Sequence, residues 1–272
     1  MLFRSHKHMI ELYQFELSQF AEKARLILDF KGLQYRKIEV VPGVGQLEIL
    51  RISGQRQLPV IKDGNTIVAD STAIAMYLDK TYPDKPLFPG DAKAKAFCTL
   101  MEEWADNSIG VKSRKCLLGA LKNNNLRSSI LPSGTPDIFK NLVSAIPNEL
   151  FDALGMGVGL SPANLKETEE SLHREMAAVC TILAETPYLL GNQPTLVDLT
   201  VAALSMTIKI PEGPYLNIPS NLKGKGIPGF VDNPAYEIFF AWRDRLYAEY
   251  RRPHTDNSPP PTGTAPTTIA ID

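Results

Sequence analysis

The chain has 272 residues, of which 44% are hydrophobic and 22% are charged, a balance typical of globular proteins with about two domains. The formal net charge of −1 gives no general electrostatic attraction to nucleic acid or to anionic membranes, and no apolar run is long enough to span a bilayer. Three widely spaced cysteines and four scattered histidines predict neither a disulfide framework nor a metal site. We therefore expect a cytoplasmic protein with no membrane or nucleic-acid partner.

The chain opens with an extension (1–8) that carries no strand or helix pattern. Residues 9–15 predict a strand. The stretch "SQFAEKARLILDFKG" then predicts a helix, with Ser18 at its N-cap and Gly32 just past its end. This first strand and helix bring two hydroxyl side chains, Tyr13 and Ser18, close together in the sequence.

The strand and helix patterns continue to residue 82. They predict a strand (35–41), a helix (46–53), a hairpin of two strands (58–70) and a helix (71–82) that Ser71 is placed to cap. A helical connection between the first two strands makes them parallel, whereas a hairpin is antiparallel. The region is therefore expected to fold as a mixed sheet covered by helices.

Helical patterns dominate the rest of the chain, after a proline-rich linker (83–91). Helices are predicted from residue 92 and over 164–185, 195–209 and 233–252. The segment 107–165 is atypical, because its part over 119–162 is rich in turn formers and predicts a long loop with short helices. The tail (255–272) is rich in proline and threonine and is expected to be disordered.

Four separated motifs resemble those of the glutathione transferase superfamily. In chain order they are "LYQFELSQFAEKAR", "GQRQLPVIKDG", "ADSTAIAMYLDKTYPDKPLFP" and "LLGNQPTLVDLTVAAL". The resemblance implies a thioredoxin-like α/β domain with the order βαβαββα over residues 9–82, followed by an all-α domain over 92–254. In the last motif, Thr195 and Asp198 have the spacing of a capping box.

The resemblance also implies a glutathione site. Leu58 and Pro59 are expected to be joined by a cis bond that turns the Leu58 backbone toward an extended ligand. Asp70 and Ser71 are expected to hold the charged γ-glutamyl end of glutathione at a helix N-terminus. Arg56 is expected to meet the glycyl carboxylate, with a solvated surface arginine as the alternative.

The thiol of glutathione needs a group that favours its anion, and both Ser18 and Tyr13 are candidates by resemblance. A hydroxyl donor or a helix N-terminus lowers a thiol pKa. The five-residue gap from Tyr13 to Ser18 favours Ser18, although Ser18 as a plain N-cap stays open. Ser18 and Ala21 stand where a Cys-x-x-Cys pair would stand, which excludes thiol–disulfide exchange through protein cysteines at this site.

The sequence as a whole therefore predicts a detoxification-type glutathione transferase that uses glutathione as co-substrate, needs no metal and attacks a small hydrophobic electrophile. The resemblance also implies a homodimer. The alternative is a binding or assembly protein that has the same fold and no catalysis. The "SSC" start of zeta-class members is absent, which disfavours the isomerisation that those members catalyse.

Overall fold

The computed structural model describes residues 9–40, 45–123, 130 and 162–253. The N-terminal extension (1–8), the tail (255–272) and most of the atypical segment 107–165 lie outside the described residues, so the predictions made for them stay predictions.

A four-stranded mixed sheet lies in the N-terminal part of the chain. Its strands are β1 (Ile10–Gln14), β2 (Tyr35–Glu39), β3 (Val60–Asp63) and β4 (Thr66–Ala69), in the order β2-β1-β3-β4. Strand β1 is parallel to β2 and antiparallel to β3, and β3 is antiparallel to β4. The predicted parallel pair and hairpin are both confirmed.

Three helices accompany the sheet: α1 (Gln19–Phe30), α2 (Gln46–Ser53) and α3 (Ser71–Thr81). Helix α1 begins after Ser18, whose side chain accepts a hydrogen bond from the Ala21 N–H, as the sequence predicts. Gly32 has a φ of +73°, a left-handed conformation that glycine adopts without a steric cost, and it ends the helix.

Helix α3 corrects one prediction. Its N-cap is Asp70, whose carboxylate accepts hydrogen bonds from the backbone N–H groups of Thr72 and Ala73 at 2.9 and 3.0 Å. Ser71, which was expected to cap the helix, is instead its first residue and is buried. From the position just before Ser71, the Asp70 carboxylate reaches the amides of the second and third helical residues. Asp70 is therefore the N-cap residue.

The C-terminal part is helical. Its described residues form α4 (Ala92–Ala105), a π-helical turn (Asp106–Gly110), α5 (Val111–Lys122), α6 (Pro162–Glu185), α7 (Leu196–Leu204) and α8 (Glu237–Tyr250). The expectation of a loop from residue 119 is wrong for its first residues, because α5 runs to Lys122. The π-turn inserts an extra residue into the helix and shifts the apolar stripe, which hides the continuity of α4 and α5 in the sequence.

Helix α7 is buried throughout and packs between α1 and α4. It is shorter than the predicted span of 195–209. After Leu204 the chain tightens into a 3₁₀ turn, in which the Ser205 and Thr207 hydroxyls donate to the Ala202 and Leu204 carbonyls. Local hydroxyl bonds of this kind compete with the helical ladder.

The capping residues of α7 confirm the predicted pairing. The Thr195 N–H and hydroxyl both donate to Asp198 Oδ2, at 2.8 and 2.9 Å, and the Leu189 N–H donates to Oδ1 at 2.7 Å. Asp198 is fully buried. Its carboxylate therefore fixes the start of α7, the helix against which α1 packs.

Candidate active site

The strand register brings the site segments to one edge of the sheet. Tyr13 pairs with Val60, and Val60 pairs with Ala69. The loop after β1, the turn before β3 and the turn after β4 therefore leave the sheet at the same end. Strands β1 and β4 are two strand spacings of about 4.8 Å apart. An extended tripeptide spans about 10 Å, so a ligand of that length fits between the first and last of these segments.

Ser18 stands at the start of α1, at the end of the loop that follows β1. A turn closes this loop, with the Ser18 N–H donating to the Phe15 carbonyl at 2.9 Å. The Ser18 Oγ accepts the Ala21 N–H at 3.3 Å. A hydroxyl carries one donor besides its acceptor lone pairs, so capping the helix leaves the Ser18 O–H able to donate. The capping role and a role in thiol activation are thus compatible.

Tyr13 has a different environment. It is 8% exposed, and its O–H donates to Glu11 Oε2 at 3.1 Å. Burial, with the nearby Glu11 carboxylate, raises the pKa of Tyr13 to about 12. Its ring packs with Val40, Ile49 and Val60 on the α2 side of the sheet. Its proton is thus already shared with a carboxylate.

Sequence reasoning missed Glu16, which lies in the same loop as Ser18. Its carboxylate contacts Arg25 NH1 at 3.3 Å and Lys37 Nζ at 3.4 Å, and Oε1 accepts the Asn217 N–H at 2.9 Å. Burial raises the pKa of Glu16, but Arg25 and Lys37 outweigh that effect and lower it to about 2. Asn217 lies 201 residues away in the sequence, so no local signal could have revealed this contact.

The turn after β4 combines strain with open hydrogen-bonding capacity. Asp70 is exposed and has a φ of +80°, which is costly for a residue other than glycine and is typical of functional sites. Its two capping bonds both go to Oδ1, which leaves Oδ2 facing no donor among the described residues. The Ile74 N–H donates to the Asp70 carbonyl, so of the first-turn amides the Ser71 N–H stays available to an anion.

The remaining predicted residues lie just before β3. The bond between Leu58 and Pro59 is cis, as predicted. Leu58 is half-buried and precedes the ladder, which begins at Val60. Arg56 is exposed in the turn between α2 and β3 and has no ion pair with any described residue. The structure therefore leaves both interpretations of Arg56 open.

A cleft of about 520 Å³ lies between the two parts of the chain, next to Asp70. Its walls come from α1, α3 and the helix from α4 to α5, through Phe20, Asp70, Thr72, Met76, Asp106 and Val111. At its base the fully buried Lys23 ammonium contacts Glu102, and it lies 2.9 Å from Asp106 and 3.1 Å from the Thr72 hydroxyl. The single Lys23 charge offsets one of these two carboxylates, and burial raises the pKa of Asp106.

Other chemistry is not apparent among the described residues. The three cysteines are free and buried, and burial raises the pKa of each thiol, to about 12 for Cys116. They therefore pack as small apolar side chains, as predicted. No group of three metal-binding side chains and no helix able to span a bilayer occurs in the described part of the chain.

Comparisons with known proteins support the family resemblance of the N-terminal part. Residues 12–86 match the family model of the glutathione S-transferase N-terminal domain. Glutathione S-transferase 1 of Dianthus caryophyllus is 35% identical over 95 residues, which are 34% of this chain and 43% of that protein. The zeta-class glutathione S-transferase of Euphorbia esula is 34% identical over 94 residues, which are 34% and 42% of the two chains. The chain thus spans about two fifths of the length of these relatives.

The likeness of fold extends further than the likeness of sequence. The β-etherase LigF from Sphingobium sp. strain SYK-6 superimposes with a TM-score of 0.63 at 20% identity, over 89% of this chain and 96% of that chain. The α/β thioredoxin-like domain followed by a helical domain is therefore confirmed. Residues 12–86 thus match a glutathione S-transferase N-terminal domain, and the chain shares the fold of solved glutathione S-transferases.

Proposed function

We propose that the chain is a glutathione-dependent transferase in which Ser18 activates the thiol. One observation carries the proposal: the paired residues Tyr13, Val60 and Ala69 bring the three proposed glutathione-binding segments to one edge of the sheet. Glutathione would lie across this edge. Its ammonium would meet Asp70 Oδ2, its γ-glutamyl carboxylate the Ser71 N–H, its backbone Leu58 and its thiol Ser18.

The chemistry follows from this placement. The thiol of free glutathione has a pKa of about 8.5, so little of it is ionised at neutral pH. The Ser18 O–H and the N-terminus of α1 both favour the thiolate. The thiolate sulfur then forms a bond to an electrophilic carbon, while a leaving group departs with its bonding electrons. Arg56 completes the proposed site as the partner of the glycyl carboxylate.

Two measurements on the purified protein test this function. Glutathione at about 100 times its dissociation constant should stabilise the fold by about 2.7 kcal/mol, which a thermal melt detects. Conjugation should be measured at the same time with a panel of chloronitrobenzene electrophiles. Binding with turnover supports the transferase. Binding without turnover would favour the alternative, a binding or assembly protein, and the absence of any melting shift at millimolar glutathione would reject the site.

A further inference from the structure

Arg114, on the helical domain, pairs with no carboxylate of the described residues. It lies in the first turn of α5, and its Nε is buried without a hydrogen-bond partner among the described residues. Burial alone lowers its pKa, with no carboxylate acting on it. By contrast, each fully buried cation of the described chain pairs with a carboxylate: Lys23, Arg25, Lys31, Arg243 and Arg251.

A buried guanidinium N–H without a partner is costly, because it has lost its water without gaining an acceptor. Ionisable groups perturbed by burial in this way cluster at functional sites. Arginine suits carboxylates and related anions, since its planar fork donates two parallel hydrogen bonds. Arg114 thus has the chemistry of an anion-binding residue whose anion is not part of the described chain.

The location of Arg114 connects it to the candidate active site. Its guanidinium carbon lies 5.8 Å from the centre of the Phe20 ring. Phe20 lines the cleft and comes two residues after Ser18. Gly110, one turn before Arg114, is held against α1, because the Gln19 side chain donates to its carbonyl at 2.6 Å. Arg114 therefore lies on the helical-domain side of the proposed thiol position.

The anion is not accounted for by glutathione as placed above. Its two carboxylates are assigned to Ser71 and Arg56, on the thioredoxin-like domain. The cleft carboxylate Asp106 is paired with Lys23 and does not act on Arg114. The cleft thus has an acidic end at Asp70. Arg114 is not one of the residues that line it, but lies against Phe20 at its wall and is left for the second substrate.

We propose that Arg114 selects a second substrate that carries a carboxylate or sulfonate next to an apolar, electrophilic body that packs on Phe20. This inference rests on the proposed function and deepens it. In the reaction the glutathione sulfur bonds to the electrophilic carbon and the leaving group takes the bonding electrons. Arg114 takes no part in that exchange and holds only the anionic group.

A matched pair of electrophiles tests the proposal, 4-chloro-3-nitrobenzoate and its methyl ester. In Arg114→Met the kcat/KM for the benzoate should fall about tenfold or more, while that for the neutral ester changes less than about twofold. Arg114→Lys, which keeps a positive charge, should keep part of the preference for the benzoate over the ester. Lys115→Met removes a neighbouring cation from the same helix and should leave the ratio of the two rates unchanged.

Two results would overturn the proposal. One is an unchanged benzoate-to-ester ratio in Arg114→Met and Arg114→Gln variants whose melting temperatures match that of the wild type. The other is a raised pH midpoint for the ester reaction in these variants, which would show that Arg114 acts on the thiolate instead.

Binding of an unreactive probe separates this inference from the proposed function. Calorimetry on the glutathione-saturated wild type should show tighter binding of 3-nitrobenzoate than of 3-nitrobenzamide, and Arg114→Met should abolish the difference. If that pattern holds but neither electrophile reacts, the anion site stands and the transferase function fails. If both electrophiles react and the probes bind alike, the function stands and the anion site fails.

Discussion

Glu16 connects the loop that carries Ser18 to charges on α1 and β2 and to the helical domain. Its folded-state pKa of about 2 lies below the ordinary value of 4.5. Ionised Glu16 therefore stabilises the fold above about pH 4.5, and this contribution is lost as the pH falls toward 2. The shift corresponds to about 3 kcal/mol.

Urea denaturation between pH 3 and pH 7 measures this contribution. At pH 7 the urea concentration at the unfolding midpoint should be lower for Glu16→Gln than for the wild type. The difference between the two midpoints should narrow as the pH falls. Glu48→Gln, which changes an exposed carboxylate on α2, serves as the control. A gap that stays constant with pH would show that the ionisation of Glu16 is irrelevant to stability.

Residues whose role depends on local geometry were predictable from the sequence. Ser18 was identified because an N-cap hydroxyl before an apolar-periodic run is a local signature. Glu16 and Arg114 were not, because their environments are built by distant segments. The same distinction explains Asp70: the helix start was recognised, but which of two adjacent polar residues caps it depends on a backbone angle that the sequence does not reveal.

At the scale of elements, the start of α3 has a structural and a proposed binding role that one substitution separates. Asp70→Asn keeps an oxygen that can cap the helix, so stability should change by only a few tenths of a kcal/mol. The loss of the charge opposite the glutathione ammonium should weaken binding about tenfold. Asp70→Ala should lose both the helix cap and the charge. Its free energy of unfolding should therefore fall by about 1 kcal/mol, and glutathione binding should weaken as in Asp70→Asn.

Thermal melts with and without glutathione, together with calorimetry, measure both effects. Equal glutathione affinity in the wild type and Asp70→Asn would leave Asp70 as a helix cap only.

The elements themselves were largely predictable, and the departures have physical causes. Strong periodicity defines α1 and α2, and the glycines that follow them, Gly32 and Gly54, are both left-handed in the structure. The π-turn at Asp106–Gly110 and the 3₁₀ turn at Ser205–Thr207 escaped prediction. The 3₁₀ turn depends on local hydroxyl bonds, which composition does not reveal.

Across the whole molecule, a buried ion network joins the two parts of the chain. Arg251, just after α8, donates to Glu22 at 2.9 Å and to Asp29 at 2.7 Å, both on α1. Glu22 also pairs with Arg25, which reaches Glu16. The loop with Ser18 is therefore held from the C-terminal end of the helical domain.

Removing Arg251 takes the guanidinium they share from two buried carboxylates, and leaves Glu22 with Arg25 and Asp29 with Arg252. Arg251→Met should cost about 3–5 kcal/mol in urea denaturation. Arg252→Met is the matched control, because Arg252 is partly exposed and lies 3.8 Å from Asp29, and it should cost about 1 kcal/mol or less. Similar losses in the two variants would contradict a stabilising role for the buried network.

We also propose a homodimer, in which the thioredoxin-like domain of one subunit packs on the helical domain of the other. Exposed apolar side chains lie on both: Ile67 and Met76 on β4 and α3, and Phe97 and Leu100 on α4. Leu100→Lys should convert a micromolar dimer to a monomer in sedimentation velocity, whereas Leu47→Lys, equally apolar and exposed on α2, should not. A monomeric wild type at that concentration would reject the proposal.

The central claim, that Ser18 activates the thiol, is tested most directly by the pKa of bound glutathione. Titration of thiolate absorbance should give a pKa below about 8.5 in the wild type. Ser18→Ala should raise it by about one to two units, with glutathione affinity nearly intact, since a hydrogen bond to a charged group contributes about 1.5–3 kcal/mol. Tyr13→Phe should leave the pKa of bound glutathione unchanged. Ser18→Thr, which keeps a hydroxyl, should have the wild-type pKa. A raised pKa in Tyr13→Phe together with a normal one in Ser18→Ala would contradict the account.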